Sequence, residues 1–370
     1  MRVAVLGNSP LNIGVVLAAD LAALGHDIAL WTFGDQGDVA ATIAETGLVI
    51  EDNGVALACG RAGAVPLPRF PATCAEALDG AQVVFLDPGA SAIEARVEEI
   101  APHLTRGQHI HIECHGYWAA LRTHRALGSL HGVTLSEGTT PTHAGGFENG
   151  VVTPHVLRRN LALGVFPAAQ TEAVAEQLSS LLPIFDPKAD VIATNLESMN
   201  FLVHPAIALL NAGAFDRAEE AGAPIDFYGE GNTHHASVLA DALDGERRPL
   251  VDAFGYPFRS LPAQIGAIYD ARGETTREAV ASAPFYKVLP PLPAAIWRAW
   301  LSTDMPLAHV PYVRVAEAVA IPAPLHRGLV EIVGAILSRD FWSDGLTLDH
   351  LGLSDMTARE MGTFVKTGTA

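Results

Sequence analysis

Residues 1–31 read MRVAVLGNSPLNIGVVLAADLAALGHDIALW, and their pattern decides the fold of the first half of the chain. Residues 2–6 (RVAVL) form a short β-rich run, 15–25 an apolar Ala/Leu-rich helix, and 27–31 (DIALW) a second strand. A strand, turn, helix and strand within about 30 residues has the length that a βαβ crossover needs. Further strands are predicted at 82–87 (QVVFLD), 108–113 (QHIHIE) and 132–136 (GVTLS), with helical stretches between the first two. Such alternation buries both faces of a parallel sheet under helices. The expected class is therefore α/β, an N-terminal Rossmann-type doubly wound sheet.

The texture changes near residue 195. Helical patterns dominate at 205–222, 235–254, 275–283 and 327–340, broken by Pro-rich turns such as LPPLPAA at 289–295. With no internal repeat, the 370 residues divide into a dinucleotide-binding domain, 1–190, and an all-helical C-terminal domain, 191–370.

Composition excludes several partners. A formal charge of −18 argues against nucleic acid and anionic membranes, both of which reward a basic surface. Apolar residues make up 49% and charged residues 17%, enough for two cores and for a homodimer interface. The sequence shows no basic-then-apolar leader and no uninterrupted apolar stretch of about 18 residues, so a cytoplasmic protein is expected. Cys59, Cys74 and Cys114 are odd in number and share no metal-like or redox-like spacing, which fits free thiols in a reducing compartment. His234 and His235 are adjacent without further ligands at suitable spacing, so no metal site is expected.

A dinucleotide turn uses glycine where the backbone must turn sharply and where a helix N-terminus must approach a pyrophosphate. Here the turn runs Gly7-Asn8-Ser9-Pro10-Leu11-Asn12-Ile13-Gly14, its outer glycines seven residues apart instead of five. Gly7, Asn8, Ser9, Asn12 and Gly14 are the candidate cofactor-binding residues. Asp35 lies 21 residues after Gly14, near the position from which a carboxylate holds a ribose 2′-hydroxyl. No Lys or Arg occurs between Arg2 and Arg61. NAD(P)H is the expected cofactor, with NAD favoured over NADP.

In the second half His204 interrupts an apolar run, with Asn200 four residues before it and Pro205 after it. Burying an ionisable ring costs free energy unless it is paired or used. A His–Pro pair at a helix start can also be a simple cap. The blocks Asn200-Phe-Leu-Val-His204-Pro205, Asn211-Ala-Gly213, Phe227-Tyr228-Gly-Glu230-Gly231 and Asp244-Gly-Glu246-Arg247 resemble the helical domain of opine dehydrogenases, the octopine/nopaline dehydrogenase family. LSEGTTPTHA (135–144), Thr303-Asp304-Met305-Pro306 and RDFWSDGLTLDHLGLSDMT (339–357) fall in the same order as in that family.

The resemblance implies NAD(P)H-dependent reduction of an imine formed between an amino acid, or amine, and a 2-oxo acid. It also implies His204 as general acid/base paired with Asp304. Asn200 is a candidate substrate contact. The charges Asp244, Glu246 and Arg247 read as solvated ion pairs on a helix.

The family carries a carboxylate-binding arginine five residues before its aspartate. This chain has Ala299 there, with Arg298 one place earlier and Trp297 and Trp300 around it. Arg298 is taken as the candidate replacement, although in an extended segment the one-residue offset would turn it to the opposite face. The departure keeps open an imine or carbonyl reductase of secondary metabolism acting on a non-classical substrate. The altered glycine turn keeps open a non-catalytic nucleotide-binding protein.

Overall fold

Residues 1–36 and 38–369 are described in the computed structural model, in two compact units. One comprises Met1–Val191 with Val365–Gly368, and the other contains Ile192–Phe364.

The first unit is built on a seven-stranded sheet. Its order is Phe185–Pro187, Leu161–Phe166, Thr134–Gly138, His109–Ile112, Val83–Leu86, Arg2–Leu6, Asp27–Trp31. All neighbours pair in parallel except Leu161–Phe166 against Thr134–Gly138. Strand Arg2–Leu6 lies between Asp27–Trp31 and Val83–Leu86. The chain therefore reverses its direction of winding there, and the ends of Arg2–Leu6 and Val83–Leu86 form the switch point at which open α/β sheets bind ligands.

The helix Ile13–Ala23 is buried on every side from Ile13 to Ala22. A second, four-stranded sheet accounts for this, in the order Gly63–Ala64, Val49–Ile50, Val151–Leu157, His143–Glu148. The helix is apolar all round because a sheet covers each side of it, whereas a half-exposed helix would show one polar face. Its one acidic residue, Asp20, accepts the amides of Ala58 (3.0 Å) and Cys59 (2.8 Å) and meets His143 Nε2 at 3.0 Å. Burial acts to raise the Asp20 pKa, but His143 and the Cys59 amide outweigh it and hold the carboxyl below its ordinary value. Neither this second sheet nor the antiparallel pairing is legible in the sequence: Val49–Ile50 and Gly63–Ala64 are two residues long, Val151–Leu157 alternates in burial but carries Pro154, and Leu161–Phe166 is buried throughout with nothing to mark its direction.

The second unit is helical apart from one two-residue antiparallel pair, Pro224–Ile225 with Leu292–Pro293. Its main helices are Asn200–Glu220, His234–Ala253, Ile296–Asp304, Val310–Ala318 and Pro324–Leu337. The run Val191–Glu220 is long and apolar enough to cross a membrane by length and composition, but 61% of its apolar window is buried within the protein.

The charges of His234–Ala253 are not the solvated pairs expected. Arg247 is fully buried, bonding Asp244 Oδ1 (2.6 Å) and the carbonyls of Leu196 (2.8 Å) and Arg259 (2.6 Å). Glu246 accepts the Leu325 and His326 amides, satisfying the first turn of Pro324–Leu337 with a negative charge. Five donors on one planar guanidinium let Arg247 tie three segments together.

Candidate active site

The dinucleotide turn follows from two close approaches. Gly7 has φ +99°, and a Cβ on it would stand 2.2 Å from the Asp87 carbonyl oxygen. A Cβ on Gly14 would stand 2.0 Å from the Gly7 carbonyl oxygen. The two glycines therefore let the helix start press against the strand end, in spite of the longer spacing. Asn12 supplies the left-handed residue of the turn, at φ 52°. Asn8 Oδ1 accepts the Val15 amide (3.2 Å), and Asn12 Nδ2 donates to the Gly145 carbonyl (3.3 Å).

Asp87, directly after Val83–Leu86, was not singled out in the sequence beyond its place in a strand. Its Oδ2 accepts the amides of Ser9 (2.7 Å) and Gly14 (3.2 Å). Desolvation pushes its pKa up to about 7, against the pull of the Ser9 amide. Ser9 Oγ and Asp87 Oδ1 are buried without a hydrogen-bond partner. Polar atoms orphaned at a switch-point turn fit a polar ligand, and a carboxyl that holds its proton near neutrality offers a donor to a phosphate oxygen. The residues present thus fit a dinucleotide, with Gly7, Asn8, Ser9, Asn12 and Gly14 around its pyrophosphate.

A carboxyl that binds its proton more tightly when folded stabilises the fold below its ordinary value of 3.8 and loses that contribution as pH rises to about 7. Asp87→Asn keeps an acceptor for the two amides and cannot ionise. The stability gap in favour of Asp87→Asn is expected to widen from pH 4 to 7 and then level off, measured as denaturant midpoints of both proteins. Parallel curves across that range would show that Asp87 does not titrate there.

Asp35 lies beyond the second strand and is exposed, with its Oδ1 on Arg96 Nη2. The stretch from Arg2 to Arg61 therefore does not leave this end of the site without a cation. Helix Ile93–Ile100 delivers one from beyond that stretch.

In the second unit His204 occupies the fifth position of Asn200–Glu220, inside the helix and not at its cap. Pro205 follows it and deprives the Phe201 carbonyl of its helical donor. The buried His309 ring lies beside that carbonyl, and desolvation pushes its pKa down to about 4.

His204 Nδ1 stands 2.9 Å from Asp304 Oδ2, across 100 residues of sequence, with both side chains buried. Its Nε2 stands 2.9 Å from the Tyr228 hydroxyl. Trp300 stacks on the ring at 4.4 Å and 16°. Asp304 ends the helix Ile296–Asp304, immediately before one π-helical turn, Met305–His309. Trp300, four residues before Asp304, shares its helix face, so one helix presents both the carboxylate and the stacking ring. Tyr228 in turn stacks on Tyr286 at 4.3 Å. Asn200 lies one turn before His204 on the same helix, half-buried.

Arg298 takes another place. Residues 296–304 are helical and not extended, and Arg298 is two residues from Trp300, about 200° around the helix. Its guanidinium is engaged by Asp216 (3.2 Å) and by Glu219. It is held on the side opposite Trp300, and its expected role as the replacement carboxylate clamp is not supported. Trp297 is buried and Trp300 faces His204, so the two tryptophans around Arg298 divide between core and site.

A dinucleotide turn at a switch point, together with a helical unit carrying a buried His–Asp pair, is an arrangement that fits an NAD(P)-dependent dehydrogenase. Residues 187–337 match the NAD/NADP octopine/nopaline dehydrogenase alpha-helical domain. The chain is 28% identical over 352 residues to the opine dehydrogenase of Arthrobacter sp. (strain 1C), covering 94% of each. Its fold is similar to octopine dehydrogenase solved with NADH and L-arginine, with a TM-score of 0.75 and 18% identity over 100% of this chain and 98% of the other. Yersinopine dehydrogenase with NADP+ bound is also similar in fold, with a TM-score of 0.66 and 14% identity over 99% and 98% of the chains. The chain is thus similar to opine dehydrogenases along nearly its whole length, and residues 187–337 match the alpha-helical domain of the octopine/nopaline dehydrogenases, which are NAD(P)-dependent.

Proposed function

We propose that this chain reduces an imine formed between an amino acid, or amine, and a 2-oxo acid, with His204 as general acid/base held by Asp304. The observation that carries this reading is the buried pair itself, His204 Nδ1 at 2.9 Å from Asp304 Oδ2. With the Nδ1 proton donated to the carboxylate, Nε2 is left basic. That tautomer is assigned from the hydrogen bonds on the two ring nitrogens.

Condensation requires a proton taken from the attacking ammonium and one given to the departing carbinol oxygen. Nε2 can do both, since one ring nitrogen can accept a proton and return it. Asp304 stabilises the imidazolium between the two transfers, and Trp300 offers that cation a π face. Bound NAD(P)H would supply the hydride that converts the imine carbon to the secondary amine. In this mechanism Asn200, one turn before His204 on the same helix, contacts substrate. On this reading NADH is preferred, because Asp35 meets a ribose hydroxyl better than a phosphate.

A second reading keeps the hydride chemistry and changes the substrate. It is favoured by the aromatic ring system of Trp300, Tyr228 and Tyr286 near His204, and by the engagement of Arg298 elsewhere. One assay separates the two. Oxidation of NADH and of NADPH is followed at the nicotinamide band against pyruvate and other 2-oxo acids, with and without a panel of amino acids. Oxidation that needs both an oxo acid and an amine, with a secondary amine found by mass, is the expected result. Oxidation by a carbonyl compound alone would establish the second reading instead.

A further inference from the structure

The second strand leads into Thr32-Phe33-Gly34-Asp35-Gln36, and Gln36 fastens this loop to the dinucleotide turn. Its Oε1 accepts the Asn8 amide (2.8 Å) and the Phe33 amide (3.3 Å), and its Nε2 donates to the Asp87 carbonyl (3.4 Å). Asp35, the neighbour of Gln36, is thereby held at the end of the sheet where the adenosine half of a dinucleotide rests in this fold. Arg96 reaches the same place from Ile93–Ile100. Its guanidinium lies 4.3 Å over the Phe33 ring and bonds Asp35 Oδ1, with Glu99 at 3.7 Å. Phe33 is fully buried, and Arg96 Nε is buried without a partner.

We infer that Arg96 is a latent ligand for a ribose 2′-phosphate, and that Asp35 sets cofactor choice by occupying it. The inference rests on the dinucleotide reading above and adds a second residue, from a different helix, to cofactor recognition. Arginine suits this role because its planar fork matches phosphate geometry and its flat face packs on an aromatic ring. In the structure that fork is given to a carboxylate. A carboxylate has about four lone-pair sites, so Asp35 can hold Arg96 and still accept a ribose hydroxyl. A 2′-phosphate brings a charge of about −2, which Asp35 and Glu99 oppose while Asp35 neutralises the cation that would receive it. The pair therefore admits NADH and disfavours NADPH. Removing the Asp35 charge frees Arg96 for the phosphate without building any new contact.

The test is equilibrium binding of NADH and NADPH to the full chain, read by nicotinamide fluorescence with 2′,5′-ADP as competitor and no substrate present. Three proteins are compared: wild type, Asp35→Ser, and Asp35→Ser with Arg96→Met. Methionine retains an apolar stem over Phe33 and removes the charge. Wild type is expected to bind NADH at least about tenfold tighter than NADPH, a preference worth about 1.4 kcal/mol. Asp35→Ser is expected to tighten NADPH and 2′,5′-ADP at least about tenfold, and Arg96→Met added to it is expected to abolish that gain. Three results would overturn the inference: wild type preferring NADPH, an unchanged ratio in Asp35→Ser, or a gain that survives Arg96→Met. Binding is read without turnover, so a failure of the opine chemistry leaves this result interpretable. Failure of wild type to bind either dinucleotide would overturn both readings.

Discussion

His204→Ala is expected to lower turnover by roughly 10²–10⁴-fold, the usual scale for a general acid/base, while the dissociation constant for NADH stays within about twofold. The split follows from where His204 sits. It lies in the helical unit, bonded to Asp304 and Tyr228 and stacked on Trp300, whereas the dinucleotide turn is built from residues 7–14 of the other unit. Removing the imidazole also leaves the buried Asp304 without that partner, so Asn, which can still meet the carboxylate, is the companion substitution. Asn at 204 would preserve a hydrogen bond to Asp304 and supply no titrating group. Both variants losing turnover together identifies proton transfer as the missing function. A loss in His204→Ala that His204→Asn restores would reduce His204 to a packing role, and unchanged turnover in both would remove it from the mechanism.

Gly14→Ala is expected to weaken NADH binding by about 10- to 100-fold and to lower the unfolding midpoint. Helix propensity alone predicts the reverse, since alanine is favoured over glycine within a helix by about 1 kcal/mol. The added methyl would sit 2.0 Å from the Gly7 carbonyl oxygen and 3.3 Å from the Asn8 Cα. Both are backbone atoms of the turn, so no rotamer change relieves the collision, and overpacking of this kind costs about 1–3 kcal/mol. Relief requires the helix start to retreat from the strand end, which also moves the Gly14 amide off Asp87 Oδ2. Gly328→Ala is the control, because that helical glycine has nothing within 4 Å of a built Cβ. It should be neutral or mildly stabilising. If Gly14→Ala behaved like this control in both unfolding and NADH titration, the close approach would not matter.

The alternation of short β-runs with an Ala/Leu-rich helix was enough to identify the parallel sheet, because strand and helix periods are local properties of the chain. The strands at 2–6 and 27–31 are found as Arg2–Leu6 and Asp27–Trp31. The helices at 205–222 and 235–254 are found as Asn200–Glu220 and His234–Ala253. The four-stranded sheet over Ile13–Ala23 was not legible. Two of its strands have only two residues and carry no period, Val151–Leu157 is interrupted by Pro154, and the reason for that helix's uniform apolarity became visible only once both of its covers were known.

The candidate site divides in the same way. Sequence by itself determined that Gly7 and Gly14 bracket a turn after a strand, that His204 is an ionisable ring in an apolar run, and, by resemblance to a family, that Asp304 is its expected partner. Only the tertiary structure decided what stands against these residues. It brought Tyr228 and Trp300 onto His204, Asp87 under the turn amides, and Arg96 across 61 residues onto Asp35. It also turned Arg298 towards Asp216 and Glu219, because residues 296–304 coil as a helix and a two-residue step there is about 200° of rotation. Periodicity fixes which elements form, since it arises from neighbours along the chain. The partner of a charged or aromatic side chain depends on how distant segments pack, and no local pattern encodes that.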